Sequence, residues 1–269
     1  MSHPRRRTTT GPAGELSYLA WPGSGTPVLY LHPVNTAAEV WSDVAAELPG
    51  PAVAVDYRAH GGSAAAGPYF PADYAADALA VLDAEGIGRA HVACGSIGGA
   101  VAVELAATAP QRVASIAAFG ATLRLGWDSA TLDETEADLR GLGVREWFVR
   151  HGGEILGPGS RPDAADRLVE LASAGRELDV VVEVLRTTFG LADSRPAAAK
   201  VEPAAPPALV VVGTHDPTCP DAMAQELAGY LHTQVHTLVD LGHLPMLEAP
   251  AVTAAAIRAF HDEIGPDGR

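Results

Sequence analysis

Runs of mostly apolar residues, with little polar alternation, are the feature that most restricts the fold of this chain. They are short and rich in Val, Ala and Leu, and they recur along the sequence. Strands with apolar residues on both faces are typical of a parallel sheet that helices cover on both sides. The sequence therefore predicts buried strands at 28–31, 52–55, 90–94, 113–119, 209–212 and 234–239.

Ala-rich helical stretches separate these runs. They are predicted at 37–48, 73–85 and 97–108, with Asp73 as N-cap and Gly86 just after the C-cap of the second. Alternating strands and helices favour right-handed βαβ crossovers. We therefore expect an α/β fold in which helices flank a mostly parallel sheet.

The pattern changes between residues 122 and 200. This segment contains four predicted helices, at 132–142, 144–150, 164–174 and 178–189, and a Pro/Ala-rich stretch at 196–207 that is interpreted as a linker. We interpret it as an all-helical insertion, a cap, in an α/β core formed by residues 1–121 and 201–269. The length of 269 residues suits one large α/β domain or two small ones.

Charge and composition exclude several classes of function. The net charge of −15 disfavours nucleic acid and anionic membranes as partners. No apolar run reaches the roughly 18 residues of a membrane helix. Two cysteines rule out a disulfide scaffold, and the ten histidines lack the spacing of metal ligands, so no metal is expected.

The N-terminal segment contains three consecutive arginines but no apolar stretch of the kind an export signal needs. We expect a cytoplasmic protein in which residues 1–13 are disordered. The expected partner is a small-molecule substrate, and the expected state is a monomer or a homodimer.

Ser96 lies in the sharpest local motif, Ala93-Cys94-Gly95-Ser96-Ile97-Gly98-Gly99, at the junction of a predicted strand and helix. A serine on such a turn exposes its hydroxyl, and small neighbours allow the strained turn to pack. The usual pattern is Gly-x-Ser-x-Gly, and here Cys94 replaces the first glycine. On this motif alone, a catalytic Ser96 and an incidental serine in a Gly-rich turn are equally good interpretations.

Two later residues favour the catalytic interpretation. Asp216 follows the strand at 209–212, and His243 follows the strand at 234–239. Catalytic groups of α/β sheets gather beyond the carboxyl ends of the strands. A serine, an acid and a histidine in this order supply a nucleophile, the carboxylate that orients the base, and the base itself. Asp240 is a rival for the acid, although its closeness to His243 in the chain makes the reach less favourable.

The chain resembles the α/β-hydrolase superfamily from about residue 14 to 262. Besides the Ser, Asp and His motifs, Asp56-Tyr57-Arg58-Ala59-His60-Gly61-Gly62-Ser63, Ala109-Pro110-Gln111-Arg112-Val113 and Gly242-His243-Leu244-Pro245-Met246-Leu247-Glu248 are similar to segments common in that superfamily. Within it, Gly67-Pro68-Tyr69 and the cap length resemble 3-oxoadipate enol-lactonases and small esterases. The resemblance implies an α/β-hydrolase fold with a helical lid, and a cofactor-free serine hydrolase of small carboxylic esters or lactones.

An oxyanion hole in such an enzyme needs two backbone N–H donors. The resemblance assigns them to Ile97 and Val34. Pro33 stands where relatives usually have glycine, and it has no N–H of its own, so either Val34 is held rigidly as a donor or the hole is misformed. Asn35 could add a side-chain contact.

The cap is expected to line the substrate pocket. Its candidate aromatic and histidine side chains are Trp127, Trp147, Phe148, His151 and Phe189, and Arg124, Arg145, Arg150 and Arg186 are candidates for binding a substrate carboxylate. His32, His60 and Arg58 are interpreted as structural.

Two other functions stay open. Because Pro33 and Cys94 depart from the common pattern, the same triad could perform C–C bond hydrolysis, acyl transfer or a cofactor-free rearrangement. The fold could also serve a binding protein without turnover.

Overall fold

A computed structural model describes residues 3–265 and contains an eight-stranded sheet. The strands are β1 Arg5–Gly11, β2 Gly14–Trp21, β3 Val28–Leu31, β4 Ala52–Val55, β5 Ala90–Gly95, β6 Val113–Phe119, β7 Ala208–Gly213 and β8 Val235–Leu238. Their order in the sheet is β1-β2-β4-β3-β5-β6-β7-β8. Strand β2 pairs antiparallel with both β1 and β4, and strands β3 to β8 run parallel to one another.

Helices cover both faces of this sheet, which confirms the predicted α/β class. They are α1 Ser42–Glu47, α2 Pro71–Ala84, α3 Gly98–Thr108, α4 Ser129–Leu142, α5 Val144–His151, α6 Ala164–Ser173, α7 Leu178–Val184, α8 Arg195–Val201, α9 Asp221–Tyr230, α10 Pro245–Glu248 and α11 Pro250–Ile264. None of the helices between residues 3 and 265 is both long and apolar enough to span a bilayer.

Alternate residues of each central strand feed two apolar clusters, one on each side of the sheet. Leu29 and Leu31 belong to the first cluster, together with residues of α2, α3 and α8. Tyr30 belongs to the second, with Trp41 and residues of α1 and α11. Because both faces are buried, the strands carry unbroken apolar runs, and their carboxyl ends are held rigidly at one edge of the sheet.

The N-terminal segment differs from the prediction. We expected residues 1–13 to be disordered, but Arg5–Gly11 forms the edge strand β1, which pairs with β2 along its whole length. Arg6 also donates to the buried carboxylate of Asp56 at 2.7 Å. Three β-branched threonines and this ion pair account for the order. Residues 1 and 2, and residues 266–269 of the predicted core, lie outside the described part.

The segment interpreted as a cap, residues 122–200, includes helices α4 to α7 and most of α8. Helices α4 to α7 meet in a small apolar cluster of their own around Leu132, Phe148 and Leu185. The predicted helix at 178–189 is divided into α7 and a π-helical segment, Leu185–Leu191. The interpretation of 196–207 as a linker is wrong over its first part, which belongs to α8. Pro196 lies in the first turn of that helix, where a missing N–H costs nothing.

Candidate active site

Ser96 lies in the turn between β5 and α3, where its backbone adopts a left-handed conformation with φ of 54°. This conformation is strained for a residue other than glycine. The Ser96 carbonyl accepts the N–H groups of Gly99 and Thr122 at 3.0 and 3.1 Å, which holds the turn. Glycine is needed at position 98, because a Cβ there would lie 2.9 Å from the Leu31 carbonyl oxygen.

The side chains of Ser96, His243 and Asp216 form a hydrogen-bonded row at the carboxyl ends of the strands. His243 Nε2 lies 2.9 Å from Ser96 Oγ, in position to accept its proton. His243 Nδ1 lies 3.0 Å from both Asp216 carboxylate oxygens, to which its N–H donates. All three residues are buried. The structure thus brings together three side chains that are far apart in the sequence.

Asp216 is fixed by its own loop. One of its oxygens, Oδ1, accepts the backbone N–H groups of Thr218 and Cys219 at 2.9 and 2.8 Å. Burial and the neighbouring Asp216 carboxylate raise the pKa of the Cys219 thiol well above its usual value, opposed by a hydrogen bond with Ser96. The thiol therefore stays protonated and does not compete as a nucleophile.

The rival acid, Asp240, faces another residue. Its carboxylate is exposed and lies 3.7 Å from His215 Nε2. His243 has its acid contact with Asp216 instead. The geometry therefore favours Asp216 as the acid that orients the imidazole.

Gly120, at the end of β6, supports the row in a way that sequence reasoning missed. Its φ is 53°, and a Cβ there would lie 2.7 Å from the His243 carbonyl oxygen and 2.9 Å from Asp216 Oδ2. A side chain at this position would push the acid and the base apart. The only sequence signal is a glycine directly after a buried strand, which is too common to be diagnostic.

The two predicted oxyanion donors remain unpaired. Within the described part of the chain, the backbone N–H groups of Ile97 and Val34 have no protein acceptor. Val34 lines the same cavity as Ser96. The Pro33 carbonyl accepts both the N–H and the hydroxyl of Thr36, which fixes the loop that carries Val34. The role of these donors stays a prediction.

Asn35 is held from both sides next to Val34. Its backbone has a φ of 60°, and its N–H donates to His60 Nε2 at 3.2 Å. Its side-chain oxygen accepts a hydrogen bond from Arg176 Nη1 at 2.7 Å. The amide of Asn35 therefore presents a fixed orientation to the cavity that it lines.

The residues interpreted as structural have structural contacts. His32 Nε2 accepts the N–H of Tyr57 at 3.2 Å, and burial lowers the pKa of His32 to about 4. Arg58 donates to both carboxylate oxygens of Asp77, at 2.8 and 2.7 Å. These contacts brace the loop behind the site rather than reach into it.

Glu248 is a second residue that sequence reasoning did not assign a role. Its buried carboxylate accepts the N–H groups of Gly242 and Leu244, on either side of His243, at 2.7 and 2.8 Å. It also accepts the Gly157 N–H and the Ser160 hydroxyl of the cap at 2.8 and 2.7 Å. Glu248 therefore connects the loop of the proposed base to the cap.

A cavity of about 120 Å³ opens beside Ser96 and His243. All five candidate side chains from the cap line it: Trp127, Trp147, Phe148, His151 and Phe189. The four candidate arginines do not line it. Arg186 is paired with Asp133 and Glu136 instead, and the other three are exposed. Residues 3–265 contain no group of three or more His, Cys, Asp or Glu side chains that could hold a metal ion.

Comparison with known proteins identifies the family to which the chain belongs. A family model described as the alpha/beta hydrolase family matches residues 19–256. An esterase, Rv0045c of Mycobacterium tuberculosis, is 38% identical over 106 residues, which span 39% of this chain and 36% of that protein. The chain is thus matched to little more than a third of this curated relative.

Two solved structures share the fold. A thermophilic esterase from Thermogutta terrifontis superimposes with a TM-score of 0.83 and 21% identity, over 97% of this chain and 99% of the esterase. An enol-lactonase from Burkholderia xenovorans has a TM-score of 0.83 and 22% identity, over 95% of this chain and 100% of the lactonase. These likenesses establish a common architecture over nearly the whole chain.

Proposed function

Because the chain belongs to the alpha/beta hydrolase family, we propose that it is a serine hydrolase that cleaves a small carboxylic ester or lactone. The observation that carries this proposal is the hydrogen-bonded row of Ser96, His243 and Asp216, with 2.9 Å and 3.0 Å between successive groups. An alcohol, an imidazole and a carboxylate in this order are what an acyl-transfer reaction requires.

The proposed reaction has two halves. Ser96 Oγ attacks the carbonyl carbon while His243 Nε2 takes its proton, and the Asp216 carboxylate stabilises the imidazolium that forms. The Ile97 and Val34 N–H groups stabilise the oxyanion. His243 then gives the proton to the leaving alkoxide and an acyl-enzyme remains. Water, activated by His243, releases the acid and restores Ser96. No cofactor takes part in this scheme.

The proposal assigns different roles to two parts of the chain. Residues 1–121 and 201–269 form the catalytic core, and residues 122–200 form the lid over the cavity. The five aromatic and histidine side chains that the cap contributes to the cavity support this division. A cytoplasmic location and a monomeric or homodimeric state stay predictions from the sequence.

Replacement of Ser96 tests the proposal. We expect Ser96→Ala to abolish both hydrolysis of a p-nitrophenyl ester and labelling by a fluorophosphonate, because the Ser96 hydroxyl is the group that contacts His243 Nε2 and the neighbouring Cys219 thiol stays protonated. Cys94→Ala is the matched control, since Cys94 is buried in the core and its loss leaves the row intact. Full activity of Ser96→Ala would reject the assignment.

Oxygen labelling of the product separates hydrolysis from acyl transfer and rearrangement. Hydrolysis must incorporate solvent oxygen into the released acid, which mass spectrometry detects in water labelled with heavy oxygen. Acyl transfer or rearrangement leaves the label in the solvent. A binding protein would retain ligand affinity in Ser96→Ala and show no turnover in the parent protein.

A further inference from the structure

The cavity beside Ser96 is apolar and carries no formal charge. Aromatic and aliphatic side chains such as Trp127, Phe148 and Leu168 make up most of its wall, and within the described part of the chain no Lys, Arg, Asp or Glu lines it. A carboxylate that enters such a site loses its hydration without gaining a cation, which is strongly unfavourable.

The ionisable side chain at the cap end of the cavity makes the site less favourable still for an anion. His151 Nε2 lies 3.0 Å from Asp138 Oδ2, and its Nδ1 lies 3.5 Å from Glu154 Oε1. Both ring nitrogens therefore face carboxylates. A substrate carboxylate next to His151 would meet these two negative charges, in a protein whose overall charge is −15.

Among residues 3–265, Arg176 is the one Lys or Arg whose side chain hydrogen-bonds to a residue of the cavity wall, and that residue is Asn35. Its Nη1 donates to Asn35 Oδ1 and its Nε to the Ala59 carbonyl, at 2.7 and 3.0 Å. Its Nη2 is shielded from solvent and has no hydrogen-bond partner among the described residues, but Arg176 is not one of the residues that line the cavity. Because a guanidinium only donates, the oxygen of the Asn35 amide must face it, and the neutral NH₂ group is left for the substrate.

We propose that the part of the substrate enclosed in this cavity is uncharged, with Asn35 as a neutral hydrogen-bond donor to it. This inference rests on the proposed ester or lactone hydrolysis and narrows its substrate class. A lactone of oxoadipate, a six-carbon diacid, keeps one free carboxylate. The chain therefore shares an architecture with enol-lactonases, but its cavity disfavours a substrate that carries this free carboxylate.

A matched pair of esters tests the inference. p-Nitrophenyl butyrate and mono-p-nitrophenyl succinate have the same leaving group and a four-carbon acyl chain, and they differ in one carboxylate. We expect kcat/KM for the butyrate to be higher by on the order of 100-fold. The ratio should persist in about 0.5 M NaCl, because salt screens repulsion by distant charges but does not relieve desolvation inside the cavity.

A variant with a cation in the wall reverses the preference if the inference is correct. Trp127 is half-buried at the cavity, so Trp127→Arg can place a guanidinium there, and Trp127→Leu is the control for loss of the ring. We expect the succinate-to-butyrate ratio of kcat/KM to be at least about tenfold higher in Trp127→Arg than in Trp127→Leu. Fluorophosphonate labelling of Ser96 reports whether each variant retains a working site.

The outcomes separate this inference from the proposed function. Equal hydrolysis of both esters by the parent protein, with Ser96→Ala inactive on both, would overturn the inference and leave the serine hydrolase intact. A cation at position 127 that leaves the ratio unchanged would also overturn it. Absence of turnover of both esters, without labelling of Ser96, would overturn the proposed function and the inference together.

Discussion

Asp216 and Asp240 have the same local setting in the sequence, since each directly follows a strand region. Their side chains differ in burial: the Asp216 carboxylate is fully buried and that of Asp240 is 63% exposed. The sequence order of Ser96, Asp216 and His243 predicted which residues meet. It could not predict Gly120, because the need for a glycine there arises from two loops that approach from distant parts of the chain.

The identity of the orienting acid can be tested by paired replacements. We expect Asp216→Asn to lower kcat by about 10³- to 10⁴-fold, because an amide no longer holds the imidazole in the tautomer that accepts the Ser96 proton. Asp240→Asn should leave kcat within about twofold, since exposed surface replacements rarely matter. Steady-state kinetics on a p-nitrophenyl ester measure both. The reverse pattern would assign the acid to Asp240.

At the scale of elements, prediction succeeded for the central strands and missed the first two strands, β1 and β2. The central strands β3 to β7 lie between helices on both faces, and their apolar runs placed them within two residues. β1 was not predicted, because it consists of arginines, threonines and one glycine and has no apolar run. Its order depends on pairing with β2. α8 escaped because its proline and alanines are as common in linkers as in a first helical turn.

Glu248, at the end of α10, connects elements that are remote in the sequence, because it accepts hydrogen bonds both from the His243 loop and from the cap. We expect Glu248→Gln to lower kcat by about 10- to 100-fold with little change in KM, because a misplaced His243 loop affects proton transfer more than binding. The amide nitrogen of a glutamine would face either the N–H groups of Gly242 and Gly157 or that of Leu244, all of which are donors. Steady-state kinetics and the rate of fluorophosphonate labelling provide the readouts.

The control for this variant is Glu263→Gln, an exposed position on α11. It removes the same charge far from the His243 loop, so its kcat should match that of the parent protein. If Glu248→Gln loses stability but its folded fraction retains the parent kcat, Glu248 has a structural role alone.

At the scale of the whole molecule, buried histidines link the fold to pH. Burial lowers the pKa of His32 to about 4, and burial and Arg176 lower the pKa of His60 well below its usual value. Both rings are therefore neutral in the folded protein at neutral pH. The unfolded chain, with ordinary histidine pKa values near about 6.5, binds protons first as the pH falls.

The free energy of unfolding should therefore decrease as the pH falls from about 6.5 to about 4. His32 alone contributes up to about 1.4 kcal/mol per pH unit in that range, and this contribution is fully present above pH 6.5. Urea unfolding at several pH values measures the slope. His32→Gln should give a shallower slope than the parent protein, and comparison at each pH cancels the titration of the carboxylates. Parallel slopes would contradict this account.

The ion pair between Arg6 and Asp56 gives strand β1 a structural role beyond completing the edge of the sheet. The Asp56 carboxylate is completely enclosed and also accepts the N–H groups of Ala38 and Gly62. Trimming by a protease, or a shortened expression clone, that removed residues 1–11 would leave this enclosed anion without its counter-ion. It would also make β2, whose middle residues are apolar, the exposed edge strand of the sheet. We expect such shortened chains to aggregate by pairing of their exposed edge strands.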